Sequence, residues 1–289
     1  MSGHGAAGAA EETVQQAGHA EQAAQGAGHA AEHFDFVHVF HHLQDQVLVP
    51  LPTFHVGGVA VDLSITKAVL MMWIAGALAL GFFVLIARRL RRSDVPRGTF
   101  VNLLESMVLF VRDDMVYDVM GKKAGRRYTP YFLSLFFFIL FCNILGLVPF
   151  MATATANIAV TGGLALLSFL VIQTSGIREQ GAGEYIRNIV PPGMPIFLLP
   201  IMIPIEIVGH FIKPFALTIR LFANMTAGHV VILSLFGLIF LFRAVAVAVP
   251  AVAFVLFIDA LELFVAFLQA YIFTFLTVLF VNMAIHPEH

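Results

Sequence analysis

Two apolar stretches near the C-terminus, residues 195–242 and 244–285, constrain the fold of this chain more than any other feature. Forty helical residues measure about 60 Å at about 1.5 Å per residue, twice the thickness of a bilayer's hydrocarbon layer. Each stretch is therefore either two short spans or one long helix lying at a steep tilt. Two short spans need a turn at an interface, marked by a basic or Gly/Pro-rich loop, and neither stretch contains one. The only punctuation is isolated glycines and Pro200, Pro204, Pro214 and Pro250, each able to kink a helix. The economical reading is two long, tilted, kinked helices folded back on each other near Phe242, Arg243 and Ala244.

Composition identifies the solvent of these helices as lipid. Hydrophobic residues make up 59% of the chain and charged residues only 12%, where a soluble domain carries about 25% charged; mean hydropathy is +0.88. The first 66 residues hold no Lys or Arg, while ten of the sixteen lie between Arg88 and Arg127. Residues 68–87 form an apolar run of spanning length that ends in "RRLRR", a cluster that belongs on the cytoplasmic side. The N-terminus is then periplasmic. Residues 100–119 are too polar to span and are predicted to lie on the inner membrane surface, the alternative being a soluble loop helix. Residues 131–151 and 158–172 read as a hairpin of two spans joined by "ATATAN", returning to the side where Arg178 and Arg187 lie.

The expected fold is an all-α membrane protein with about five spanning helices and one surface helix. Its last two helices form a steeply tilted antiparallel hairpin, and the C-terminal "HPEH" is cytoplasmic. Residues 1–37 are expected to be a flexible Ala/Gly/His-rich tail, and residues 38–289 the polytopic membrane domain. The tail lacks the basic start and apolar run of a secretory signal. Its histidines, with His38, His41, His42 and His55, show ligand-like spacing only at His29/His33 and His38/His42, so no metal site is expected. The lone Cys142 excludes a disulfide framework.

Within the first long stretch, "IKPFALTIRLFANMTAGHVV" carries Lys213, Arg220, Asn224 and His229 at membrane depth. An arginine there costs roughly 2.5–3.5 kcal/mol on insertion scales, so it faces protein or a wet cavity and needs a partner. Its alternative is an interfacial position with the side chain snorkelling. A hairpin reversing near residue 244 sets Arg220 opposite Gln269, His229 opposite Glu262, and Asn224 near Val265 and Ala266. Asp259, Glu262 and Gln269 share one helix face, and Glu206, Lys213, Arg220 and Asn224 share another. Such a polar track is either a satisfied structural network or a transport path. Transport is the stronger reading, because apolar residues would stabilise as well without desolvating charge.

At "KPFALTIRLFANMTAGH" and "ALELFVAFLQAYIFTFLTVLF" the chain resembles subunit a of the F-type ATP synthase, from about His38 onward. The resemblance implies five spans with the last two as a tilted hairpin, plus a surface helix. Its partners would be the c-ring, the peripheral-stalk subunit b, the other synthase subunits and the lipid bilayer of a bacterial plasma membrane, with no nucleic acid and no cofactor. Protons would pass between two half-channels and the c-ring carboxylates, with Arg220 as the essential arginine between them. Gln269 would orient Arg220 and Asn224 would line the path. His229 and Glu262 would serve the periplasmic half-channel, with Asn143 of "FCNILGLVP" near the entry route, and Asp259 would belong to the proton-translocation path. Glu206 and His210 would belong to the cytoplasmic exit. Some family members carry an acidic residue at the position of His229 and a histidine at that of Glu262, so the pair is exchanged here. No Gly-rich Lys-Ser/Thr nucleotide loop occurs, which leaves ATP chemistry to partner subunits. A secondary transporter, which would show repeated halves and unwound helices, and a passive scaffold, which needs no intramembrane charge, are the competing classes.

Overall fold

The computed structural model describes residues 47–50, 54–56, 59–61, 64–90, 99–148, 153–187, 199–242 and 245–286. The tail assigned to residues 1–37 lies outside them. Five helices are long and apolar enough to cross a membrane, over Lys67–Arg88, Asn102–Gly146, Ile158–Gln180, Phe211–Ile239 and Ala248–Ile285. The chain is an all-α membrane protein in its spanning part.

Ahead of the first helix lie four strands of two or three residues that the sequence reading does not contain. These are β1 (Val47–Val49), β2 (Phe54–Val56), β3 (Val59–Val61) and β4 (Ile65–Thr66). β2 pairs antiparallel with β3 and β1 with β4, one hairpin nested inside the other. The signal was present: Gly57 and Gly58 separate "FHV" from "VAV", a two-residue Gly-Gly spacing typical of tight hairpins.

α1 (Lys67–Leu90) follows at once. The expected surface segment forms α2 (Thr99–Leu109), a π-helical stretch (Phe110–Tyr117) and the first residues of α3 (Asp118–Gly146). Its apolar side is not free: Leu104, Val111 and Met115 are buried in the main core beside Phe136 and Phe273, whereas Arg112 pairs with its neighbour Asp113 at 2.8 Å. Amphipathicity thus docks this segment onto the bundle, which excludes the free loop helix. Gly121, with φ 72°, breaks the helical path between this segment and the spanning part of α3. A left-handed backbone there suits glycine.

A 3₁₀ turn (Ala154–Ala156) leads into α4 (Ile158–Gln180), whose first turn is capped by the side chain of Asn157 accepting from the Ala159 amide. Gly181, at φ 86°, ends α4, and the short α5 (Ala182–Arg187) follows. The last two elements are α6 (Leu199–Phe242) and α7 (Val245–Ile285), of 44 and 41 residues. Each is one continuous helix, as the absence of an interfacial turn predicts. Pro204, Pro214 and Pro250 lie inside them. Pro200 lies in the first described turn of α6.

α3 is the central helix and packs most extensively on α7. α6 lies against both α4 and α7, with Phe169 of α4 facing Phe211 of α6, ring centroids 5.6 Å apart. Gln180 donates to the Ala284 carbonyl at 2.7 Å, tying the C-terminal ends of α4 and α7 together. Large apolar side chains on the outer faces of α6 and α7, such as Phe211, Phe215, Phe254 and Phe264, remain exposed. An exposed apolar face of this extent belongs in lipid or against another membrane chain.

Candidate functional site

The polar groups of the hairpin gather where α6 crosses α7. Asn224 donates its amide to Oε1 of Gln269 at 3.0 Å, and Gln269 is only 2% exposed. The hairpin register sets Gln269 opposite Arg220; the bond it makes is to the residue one turn further along α6. Helical side chains lean toward their own N-terminus. In an antiparallel pair, a long Gln269 side chain therefore reaches α6 beyond its Cα level. Lys213 and Phe280 keep the same offset, eleven residues back on α6 matching eleven forward on α7, with the Lys213 ammonium 5.0 Å from the Phe280 ring centroid.

Arg220 is exposed on α6 and makes no hydrogen bond or ion pair among the described residues. Its charge points out of the bundle, in a neighbourhood of exposed Phe215 and Ile219. Asp259 is also exposed. Glu206 and His210 lie on α6, but their side chains are outside the described residues.

Glu262 is half-buried, and its carboxyl packs directly on Gly228, in space that a Cβ at that position would occupy. One of its oxygens, Oε1, is buried without a hydrogen-bond partner. This places Glu262 within one residue of its expected position opposite His229. The two side chains form no ion pair; His229 instead meets the hydroxyl of Thr153 through Nε2. Thr153 also donates to the Gly146 carbonyl at 3.3 Å.

Asn143 is fully buried. Its amide donates to the Ala266 carbonyl of α7 at 3.0 Å, and its Oδ1 accepts from Thr155 at 2.8 Å. The linker between α3 and α4 is thereby fastened to α7 through Asn143 and to α6 through Thr153. Thr153, Thr155 and Gly228 were not singled out in the sequence. The two threonines lie in "ATATAN", whose small polar residues read as a turn.

His229 stands nine residues beyond Arg220 on α6, about 14 Å along the axis, and Glu206 stands fourteen residues before it, about 21 Å in the other direction. Polar groups thus flank Arg220 toward both ends of α6. A bundle of five helices of membrane-spanning length, with His229 and Glu262 half-buried where α6 meets α7, is a multi-pass membrane protein of ion transport.

The family described as ATP synthase A chain matches residues 69–282. "ATP synthase subunit a" of Myxococcus xanthus is 51% identical over 228 residues, covering 79% of this chain and 75% of that relative. "ATP synthase subunit a" of Chloroherpeton thalassium is 48% identical over 246 residues, covering 84% and 72%. The chain belongs to the ATP synthase A chain family. It is a proton-translocating membrane component and not catalytic on its own.

Proposed function

We propose that the chain supplies two proton half-channels to the carboxylates of a c-ring in a bacterial plasma membrane, with Arg220 separating them. The observation that carries this reading is the exposure of Arg220. A permanent charge at membrane depth, unpartnered among the described residues of its own chain, calls for an anionic partner on another one. An ionised carboxylate on a c-subunit meets that need. Because a guanidinium stays protonated, it attracts the carboxylate and blocks a direct proton leak. Gln269, held by Asn224, borders the meeting point.

His229 and Glu262 serve the periplasmic half-channel with Asn143 near its entry route, Asp259 belongs to the translocation path, and Glu206 with His210 serves the cytoplasmic exit. Histidine and carboxylate groups suit a proton as the coupling ion. The exposed faces of α6 and α7 meet the c-ring, and subunit b of the peripheral stalk holds the chain still against rotation. The N-terminus is periplasmic and the C-terminus cytoplasmic. In purified synthase reconstituted into vesicles, Arg220→Ala or Arg220→Gln is expected to abolish ATP-driven acidification while leaving the complex assembled. Near-normal coupled pumping in such a variant returns Arg220 to a structural role. Solute uptake that persists without the rest of the complex favours the secondary transporter.

A further inference from the structure

Thr153 stands between two partners of different chemistry. The Gly146 carbonyl is an acceptor only, so the hydroxyl must donate to it. A hydroxyl has one proton. Once that proton is directed at Gly146, the oxygen can only accept from Nε2 of His229, which must then carry hydrogen. The neutral ring is thereby held as the Nε2–H tautomer, with Nδ1 bare.

The support for this arrangement is built from both sides. Thr153 is 7% exposed, and its side chain fills the space beside Gly146 that any Cβ there would take. Two residues on, Thr155 is locked to Asn143, which is itself bonded to α7. The linker cannot slide without breaking a buried amide network.

We infer that Thr153 is a positioning residue of the proton route, holding His229 by Nε2–H so that Nδ1 alone gains and loses the transported proton. The inference rests on His229 belonging to that route, as proposed above. A proton arriving at Nδ1 converts imidazole to imidazolium, and Nε2–H continues to donate to Thr153 throughout. The same proton leaves from Nδ1, restoring the neutral ring, so neither step requires the ring to turn.

The test uses whole synthase in vesicles. Thr153→Val is expected to lower ATP-driven pumping about tenfold, and Thr153→Ser to keep it within about twofold, since only serine retains the hydroxyl. Nitrogen-15 histidine labelling of the complex, with His229→Gln to identify the signal, reads the tautomer directly at alkaline pH where the ring is neutral. Nε2–H in the unmodified protein, changing to a mixture in Thr153→Val, supports the inference. Nδ1–H in the unmodified protein overturns it, even where Thr153→Val fails to assemble. If His229→Gln is impaired while Thr153→Val pumps normally, only the Thr153 assignment falls. Normal pumping by His229→Gln overturns the role of His229 itself.

Discussion

The side chains of Asn224 and Gln269 join α6 to α7 by a hydrogen bond of 3.0 Å where the faces of the two longest helices meet. Gln269 is almost fully buried, so its acceptor depends on Asn224. Interhelical hydrogen bonds in membranes average about 0.6 kcal/mol and reach about 1.7. Asn224→Ala is expected to destabilise the hairpin by about 1 kcal/mol, read as resistance to unfolding in detergent.

Gly228 makes room for the Glu262 carboxyl. Adding one methyl group there displaces a carboxyl side chain already lacking one hydrogen-bond partner. Gly228→Ala is therefore expected to cut proton flux on the order of tenfold or more, as expected when a general acid–base group is misplaced. Gly163→Ala is the control, because its Cβ would meet open space and alanine is the better helix former by about 1 kcal/mol. Equal flux in the two variants means Glu262 does not need its place on Gly228.

The spans and the continuity of α6 and α7 could be read from the sequence because a single physical scale, hydrophobic length against bilayer thickness, decides both. The facing of Glu262 and the His229 region was also legible, since helical pitch and one reversal point determine it. The Asn224–Gln269 bond was not: Cα spacing carries no information about how far a side chain leans along its helix. Thr153 and Thr155 were missed for a different reason. Their role comes from contacts 76 and 12 residues away, to His229 and Asn143, and a turn sequence shows only its local chemistry. The nested strands before α1 went unread although "VGGV" carried the hairpin spacing.

Arg220 offers a test of charge against chemistry. Arg220→Lys keeps a positive charge on the same exposed face of α6, yet lysine loses its proton readily when desolvated and lacks the planar fork that binds a carboxylate twice. Coupled pumping is expected to stay below about a tenth of the parent, an estimate set by the loss of paired, charge-assisted hydrogen bonds. Recovery of normal pumping with lysine shows that charge alone suffices there.

Topology has its own check on the described residues. The first turn of α4 and the start of α5 lie at opposite ends of the α4 span. Ile158 is 52% exposed, and Gly183 faces open space. Under the positive-inside pattern set by Arg88 to Arg127, Ile158→Cys should react with an impermeant maleimide from the periplasm and Gly183→Cys only from the cytoplasm. Reaction of both from one side defeats the span between them.

His229 and Glu262 are expected to be exchangeable as a pair. The Glu262 carboxyl packs against Gly228, the residue before His229, and Asp259 lies one turn before Glu262 on α7. His229→Glu alone brings a second carboxylate into this space, and like charges at short range are unfavourable. Glu262→His alone leaves two imidazoles and no carboxylate on Gly228. Each single variant is expected to lose on the order of tenfold or more of the proton flux. The double exchange restores one carboxylate and one imidazole in the reverse order, and Thr153 is compatible with it. A glutamate at 229 is an acceptor, and the Thr153 hydroxyl can turn from the Gly146 carbonyl to donate to it. Flux in the double variant is therefore expected to recover a substantial part of the parent value, measured as ATP-driven acidification of vesicles. A double variant no better than the worse single one, together with no disulfide between cysteines placed at 229 and 262, shows that the two residues act separately.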